Sequence, residues 1–383
     1  MPDDTILNIT LKKAGPPAAA GPVVPQPEPQ LRFRGPAATP LLAPRGVCLA
    51  AGGLYVSDTG RNRVFIWRQL PQAEQSEPDV VLGQEDALGT GRNAGGTVSA
   101  ASLQYPSGLW SDGQRLIVAD AWNHRVLIWH ELPTRSGQPA DVVLGQPDFT
   151  AHLPNARGVG AAPTERSLFW PYGLHSDGQR LWIADTGNRR VLYYETIPQE
   201  NYAPAQGVIG KPGFYTRDYE SADAIWPYSV KIGPQGALAI ADTQYYRVLL
   251  WQDWRRAFAQ KADCVIGQPD LAANGMNQYG LAPAAHTLSW CYDACFTPEG
   301  LLVADAGNSR ILRFEPLPQL SNPSASGLIG KPDFSTGSEN AETVWGTEKN
   351  LYWPFAVSAA AGRLAVADTG NHRIVLYGKS NGS

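Results

Sequence analysis

Apolar and polar residues alternate along this chain in short runs that are separated by turn-forming residues. In one segment, YPSGLW at residues 105–110 precedes RLIVAD at 115–120, RVLIW at 125–129 and DVVLGQ at 141–146. Short β-rich runs bounded by Gly, Pro, Asn and Asp are typical of strands, and SDGQ at residues 111–114 is typical of a hairpin turn. The pattern therefore predicts a four-stranded antiparallel sheet.

The phrase between the second and third strands of this segment recurs along the chain. It places an aspartate in each of six units, with successive spacings of 62, 65, 57, 63 and 63 residues: Asp58, Asp120, Asp185, Asp242, Asp305 and Asp368. Self-similarity of this kind signals repeated units that bury a core only by stacking. Sheets arranged radially make a propeller. The sequence predicts an all-β fold with six blades of four antiparallel strands.

The two ends of the chain predict how the ring closes. The sixth unit has no fourth-strand phrase, whereas LRFRG at residues 31–35 precedes the first unit with no strands of its own. An N-terminal strand should therefore complete the last blade. The predicted organisation is a strand-like segment at 1–14, a Pro/Ala-rich linker at 15–30, the propeller at 31–378 and a tail at 379–383. Segment 1–14 should dock either on the propeller or on a partner's sheet.

The repeated phrase, Asp followed by Thr or Ala and then Asn-x-Arg-Val/Ile, resembles the NHL repeat, with NHR itself at residues 123–125 and 371–373. The resemblance implies a propeller but leaves the function open, because NHL propellers include scaffold, peptide-binding and RNA-binding modules and a zinc-dependent lyase. We expect the Asp and Arg of each phrase to form an ion pair that stabilises their blade, and we call this pair the fastener. His124 and His372 belong to the same phrase and should be structural as well.

The charge and the cysteines restrict the partners. The formal net charge is -4 and the pI is about 5.9, so the chain as a whole has no electrostatic attraction for nucleic acid or an anionic membrane. No segment has the roughly 18 apolar residues of a spanning helix, and the first residues do not form a signal peptide. The four cysteines form no CxxC pair. We therefore expect a cytoplasmic protein with reduced thiols.

The innermost strand of each blade predicts which side chains face the central channel. Its fourth residue is always apolar, so alternation turns the third and fifth residues toward the channel. These positions supply the candidates Asp293, His175, Lys231 and Cys295. They could hold a divalent metal through Asp293 and His175, or perform acid–base chemistry. Alternatively, the channel holds water and Asp293 pairs with Lys231.

Aromatic residues stand immediately before and after the first residue of the inner strands, and we expect them to surround one mouth of the propeller. The tryptophans come before it and the tyrosines after it: Trp170, Trp226, Trp290, Trp353, Tyr172, Tyr228 and Tyr292. They either stack on a ligand or fill space between blades. Long connections open on the same face, and two of them are acidic. We predict a non-enzymatic scaffold without a cofactor, which binds another protein, in particular one with a basic segment. The alternative is a metal-dependent lyase or hydrolase with its site in the channel.

Overall fold

The computed structural model describes residues 25–216, 224–342, 346–347 and 349–378. Within these ranges, 24 strands form six four-stranded antiparallel sheets. The inner strands of successive sheets pack side by side, and the sixth packs against the first, so the sheets close into a ring. The predicted six-bladed β-propeller is confirmed. The segment at 1–14, the linker as far as residue 24 and the tail at 379–383 lie outside the described residues.

The first half of the ring begins with a strand that belongs to the last blade, β1 (Pro29–Phe33). Blade one contains β2 (Gly46–Ala50), β3 (Gly53–Asp58), β4 (Arg63–Trp67) and β5 (Val80–Leu82). Blade two contains β6 (Pro106–Ser111), β7 (Leu116–Asp120), β8 (Arg125–Trp129) and β9 (Val142–Leu144). Blade three contains β10 (Pro171–Ser176), β11 (Leu181–Asp185), β12 (Arg190–Tyr194) and β13 (Gly207–Ile209).

The second half repeats this order from the inner to the outer strand. Blade four contains β14 (Pro227–Ile232), β15 (Leu238–Asp242), β16 (Arg247–Trp251) and β17 (Cys264–Ile266). Blade five contains β18 (Cys291–Phe296), β19 (Leu301–Asp305), β20 (Arg310–Phe314) and β21 (Gly327–Ile329). Blade six contains β22 (Pro354–Ala360), β23 (Arg363–Asp368) and β24 (Arg373–Tyr377), and β1 is its outer strand.

The helical structure of the described residues consists of short 3₁₀ turns. Six of them join the second and third strands of the blades: Thr59–Arg61, Ala121–Asn123, Thr186–Asn188, Thr243–Tyr245, Ala306–Asn308 and Thr369–Asn371. The others lie in longer connections: Arg92–Gly95, Pro154–Ala156, Trp254–Phe258, Met276–Tyr279 and Glu339–Glu342. Because these turns are short, the core of the domain is formed by the packing of the sheets.

Closure of the ring by β1 is confirmed, with a strand that begins two residues earlier than the predicted 31–35. It pairs antiparallel with β24, and Phe33 lies opposite Ile374. The Phe33 ring is fully buried and meets the edge of Trp67 in blade one, with 4.7 Å between ring centroids. Just before β1, Gln26 accepts a hydrogen bond from the backbone N–H of Gly330. This part of the predicted linker therefore lies against the propeller.

The repeated Asp and Arg form a buried fastener in every blade, as the sequence predicted. In blade three, the Nε of Arg190 donates to Asp185 Oδ2 at 2.7 Å, and both side chains are fully buried. The other Asp185 oxygen accepts from the backbone N–H of Phe169. Arg190 also donates to backbone carbonyls, among them those of Thr164 and Phe214. Because these carbonyls lie before and after the blade, the fastener anchors two long loops.

The closing strand gives the first testable prediction. Replacing Phe33 with Ala should lower the free energy of unfolding by about 3–5 kcal/mol, because it removes a fully buried ring and leaves a cavity. Urea unfolding followed by tryptophan fluorescence measures the change. Gln30→Ala, at an exposed position of the same strand, is the matched control and should change stability by less than about 0.5 kcal/mol. Equal effects of the two substitutions would refute closure through Phe33.

Candidate functional site

The propeller presents two different faces. On the loop-rich face lie the connections from each outer strand to the next inner strand, together with the six short 3₁₀ turns. On the hairpin face lie the hairpins between first and second strands and the connections between third and fourth strands. The central channel runs between these faces, and the inner strands form its wall. Each face therefore has its own channel mouth.

The channel is narrowest at the third residue of the inner strands. A Cβ on Gly173 would lie 2.2 Å from the backbone oxygen of Tyr228, and a Cβ on Gly46 would lie 2.1 Å from that of Ser107. No real Cβ tolerates such contacts, so only glycine permits neighbouring inner strands to approach this closely here. We call this level of the channel the waist.

A polar network fills the other half of the waist. Asp293 Oδ1 accepts from the Ser229 hydroxyl at 2.5 Å and lies 3.3 Å from Lys231 Nζ. Its Oδ2 accepts from the backbone N–H of Val357 at 3.1 Å. Burial lowers the pKa of Lys231, but the Asp293 charge and hydrogen bond, together with Cys295 and Cys48, raise it overall. The ammonium therefore stays charged, and the Asp293–Lys231 pair considered from the sequence is present.

An aromatic girdle surrounds the channel on the loop-rich side of the waist. Tyr172 stacks on Tyr228, which meets the edge of Tyr292, which stacks on Phe355, with centroid distances of 5.0, 5.1 and 4.0 Å. The Arg45 guanidinium lies 4.1 Å from the centroid of Phe355 and continues the girdle. A cavity of only about 40 Å³ lies beneath it. The girdle therefore leaves little room for a ligand in this part of the channel.

The tryptophans named from the sequence lie elsewhere on the loop-rich face. Trp170, Trp290 and Trp353 are 40–43% exposed and adopt a left-handed backbone, with φ between 46° and 50°. Trp226 lies under the guanidinium of Arg189, 4.0 Å from its ring centroid. These tryptophans, unlike the tyrosines, are not part of the girdle. Large side chains at positive φ are strained, so other contacts must hold them there.

Histidines of the repeat supply some of those contacts. The backbone N–H of Trp170 donates to Nδ1 of His124 at 3.1 Å, and that of Ala43 donates to Nδ1 of His372 at 3.1 Å. An imidazole nitrogen accepts only when it carries no proton. Burial lowers the pKa of His124 to about 4, which keeps its ring neutral. These two histidines therefore join neighbouring blades, in agreement with the structural role expected for them.

The fifth residues of the inner strands line a larger cavity on the hairpin side of the waist, of about 670 Å³: Cys48, Trp110, His175, Lys231, Cys295 and Ser358. Burial and the neighbouring Lys231 charge lower the pKa of His175 to about 3, so its imidazole is neutral. Burial raises the pKa of Cys295 to about 11 and also raises that of Cys48. Both thiols are therefore protonated at neutral pH, which makes them poor nucleophiles and poor metal ligands.

The residues do not fit the metal site considered from the sequence. Asp293 lines the small cavity under the girdle, whereas His175 lines the large cavity beyond the waist. Both carboxylate oxygens of Asp293 already have protein partners, and one of these is a cation. Across the described ranges, no group of three or more His, Cys, Asp or Glu side chains could hold a metal ion.

All four cysteines are free thiols. Of the acidic loop residues, Asp218, Glu220, Asp223 and Glu348 lie outside the described residues, and Glu339 begins a 3₁₀ turn on the loop-rich face. In the described part of the chain, no helix is long and apolar enough to cross a membrane.

Comparison with known proteins supports the fold without naming a family. No family model matches the chain, and no curated protein matches it. An auxiliary nutrient binding protein from Bacteroides thetaiotaomicron is similar in structure, with a TM-score of 0.52 and 10% identity over 92% of this chain and 75% of that one. At this identity the similarity shows the fold alone.

Two further solved structures resemble the chain less closely. Hydrazine synthase of Kuenenia stuttgartiensis aligns with a TM-score of 0.46 and 13% identity, over 89% of this chain and 96% of that chain. The computationally designed Ika8 protein aligns with a TM-score of 0.40 and 7% identity, over 88% of this chain and 74% of that chain. By its own sheet topology the chain is a six-bladed β-propeller whose channel is narrowest at a waist between two different mouths.

The neutral His175 gives a pH prediction. A histidine in the unfolded chain takes up a proton below about pH 6.5, but folded His175 does so only near pH 3. Its contribution to stability is therefore fully present above about pH 6.5 and is lost as the pH falls toward 3. His175→Gln should reduce the pH slope of the unfolding free energy by about 1.4 kcal/mol per pH unit near pH 5. Urea unfolding of the wild type and the variant across this range measures both slopes. Equal slopes would show that His175 is protonated in the folded protein.

Proposed function

We propose that this protein is a non-enzymatic interaction module of the NHL-repeat type, which binds a partner protein through its loop-rich face. The repeated phrase supports the family proposal, because its Asp and Arg make the same fastener in all six blades. The proposed role depends on the apolar side chains that this face exposes.

The distribution of exposed apolar residues carries the proposal. Among the described residues, fourteen large hydrophobic side chains are exposed, and twelve of them lie in connections of the loop-rich face. Only Phe258 and Leu320 lie on the hairpin face. The twelve are Leu42, Leu88, Trp122, Leu153, Val159, Trp170, Tyr215, Met276, Tyr279, Leu281, Trp290 and Trp353. This one-sided distribution supports an interaction surface on the loop-rich face.

The chemistry of this surface suits a protein partner. Tryptophan, tyrosine and methionine are enriched in protein interfaces, where they act as anchors. The arginine fasteners hold the bases of the loops, since Arg310 donates to the backbone carbonyls of Ala284 and Phe334 in two successive loops. A surface that is held in place before binding loses less conformational freedom when the partner arrives.

The acidic loop residues extend the proposal to the charge of the partner. Glu339 lies on the loop-rich face. In the sequence, Asp218, Glu220 and Asp223 lie between β13 and β14, and Glu348 lies between β21 and β22. Opposite charges across an interface steer encounter and suppress wrong partners. A partner segment with apolar anchors flanked by basic residues suits this combination.

Photo-crosslinking tests which face binds. A benzophenone amino acid replaces Tyr279 on the loop-rich face or, as a matched control, Leu320 on the hairpin face; these side chains are 78% and 79% exposed. We expect a specific protein adduct in cells from position 279 and none from position 320, with the partner identified by mass spectrometry. The reverse pattern would show that the partner binds the hairpin face.

The exposed tryptophans should carry much of the binding energy for that partner. Trp290→Asn combined with Trp353→Asn should raise the Kd for the partner at least about tenfold, because buried tryptophan anchors are typical interface hot spots. Asparagine tolerates the left-handed backbone at these positions, so the fold should remain. Phe258→Asn combined with Leu320→Asn is the control and should leave Kd unchanged. Calorimetry with the purified partner decides; equal Kd values for all variants would contradict the proposed surface.

A further inference from the structure

The large cavity on the hairpin face is separate from the proposed protein-binding surface. Its volume of about 670 Å³ lies within the range of small-molecule sites. The hairpin residues Gly233 and Gly236 border it, so it opens on the hairpin face. The waist glycines and the Asp293 network separate it from the aromatic girdle. A molecule bound here would not occupy the loop-rich face.

The charges that line this cavity favour an anion. Lys231, Arg180 and Arg255 border it, and the one carboxylate among its lining residues is Asp177. Asp177 already accepts from the backbone N–H groups of Gln179 and Arg180 and from the Arg180 side chain. The counter-ion of Lys231, Asp293, does not border the cavity. A concave site lined mainly by one sign of charge attracts ligands of the opposite sign.

Lys231 provides a specific donor for that anion. An ammonium has three N–H donors, and Asp293, 3.3 Å away, is the one acceptor found for it among the described residues. Ser358 lies on another inner strand of the same cavity, where its oxygen accepts from the backbone N–H of Leu49. Its hydroxyl donates to no acceptor within the described part of the chain. The neutral imidazole of His175 adds a polar group without adding charge. A carboxylate matches this set of donors.

The apolar part of the lining defines the rest of the ligand. Trp110, Trp254 and Phe296 border the cavity and offer aromatic surface. Flat apolar groups gain most from such surfaces, by burial and by stacking. We propose that the hairpin-face mouth of the channel binds a small organic carboxylate with a flat apolar body, whose carboxylate contacts Lys231 and whose body contacts Trp110.

Ligand-observed ¹⁹F NMR on the full chain tests the charge requirement. The probes are 4-fluorophenylacetate and its neutral analogue, 4-fluorophenylacetamide. We expect the carboxylate to bind at least about tenfold more tightly than the amide, because it forms a charge-assisted hydrogen bond with the lysine. Equal affinities, or no binding of the carboxylate at millimolar concentration, would overturn the proposal.

Variants test where the carboxylate binds. Lys231→Met combined with Asp293→Asn removes both charges of the waist pair together, and it should weaken carboxylate binding at least about tenfold while leaving amide binding unchanged. Lys349→Met, at an exposed lysine outside the cavity, is the matched control and should bind as the wild type does. Carboxylate binding that is the same in the double variant as in the control would refute the role of Lys231.

Two further variants keep the test decisive. Trp110→Leu changes the aromatic wall but keeps the waist intact, so it applies even if the double variant does not fold; it should weaken carboxylate binding several-fold. Leu281→Ser changes a fully exposed residue of the loop-rich face and should leave carboxylate binding unchanged. If carboxylate binding were lost in Leu281→Ser and kept in Trp110→Leu, the carboxylate would bind the loop-rich face and the proposal would be wrong. A result against carboxylate binding would not affect the proposed protein-binding surface. A result against the protein-binding surface would not affect the carboxylate site.

Discussion

The buried Asp–Arg pair is the interaction on which the architecture of this propeller depends. A buried ion pair stabilises a fold only if hydrogen bonds satisfy the rest of both groups. In blade three, Asp185 accepts from Arg190, Asn188 and the backbone of Phe169, and Arg190 makes further hydrogen bonds to loop carbonyls. The pair therefore does more than close a turn. It connects the sheet to the loops on both sides, and its sixfold repetition gives the loop-rich face a rigid base.

This constraint explains why most of the fold could be predicted from the sequence. The Asp and Arg that make the fastener are the same in all six units, so their spacing of about 60 residues reveals the number of blades. Strand alternation also placed Asp293, His175, Lys231 and Cys295 at the channel, because side chains on a regular strand change sides at each residue. The missing fourth strand of the last unit indicated closure by β1. These inferences rest on local periodicity, which the sequence displays directly.

The aromatic girdle shows where periodicity fails. By strict alternation, the second residue of an inner strand shares the core side of the fourth, yet Tyr172 faces the channel mouth. The register explains this: Pro171 lies opposite Asp185 and Gly173 lies opposite Ala184, so Tyr172 is the extra residue of a β-bulge. A bulge redirects its side chain. Arg45 and Phe355 occupy the same position in their blades and were missed, although an aligned reading of the second residues would have indicated them.

The two ends of the channel differ because of residues that differ between blades, not because of the residues that the blades share. Three blades have glycine at the waist, whereas blade five has Asp293 and blade four supplies Ser229 and Lys231. A carboxylate in so narrow a place would be costly without partners, and its three partners come from blades four and six. The network therefore specifies how three blades pack around the axis. Lys231 borders the cavities on both sides of the waist, and among the described residues that line both cavities it is the one that carries a charge.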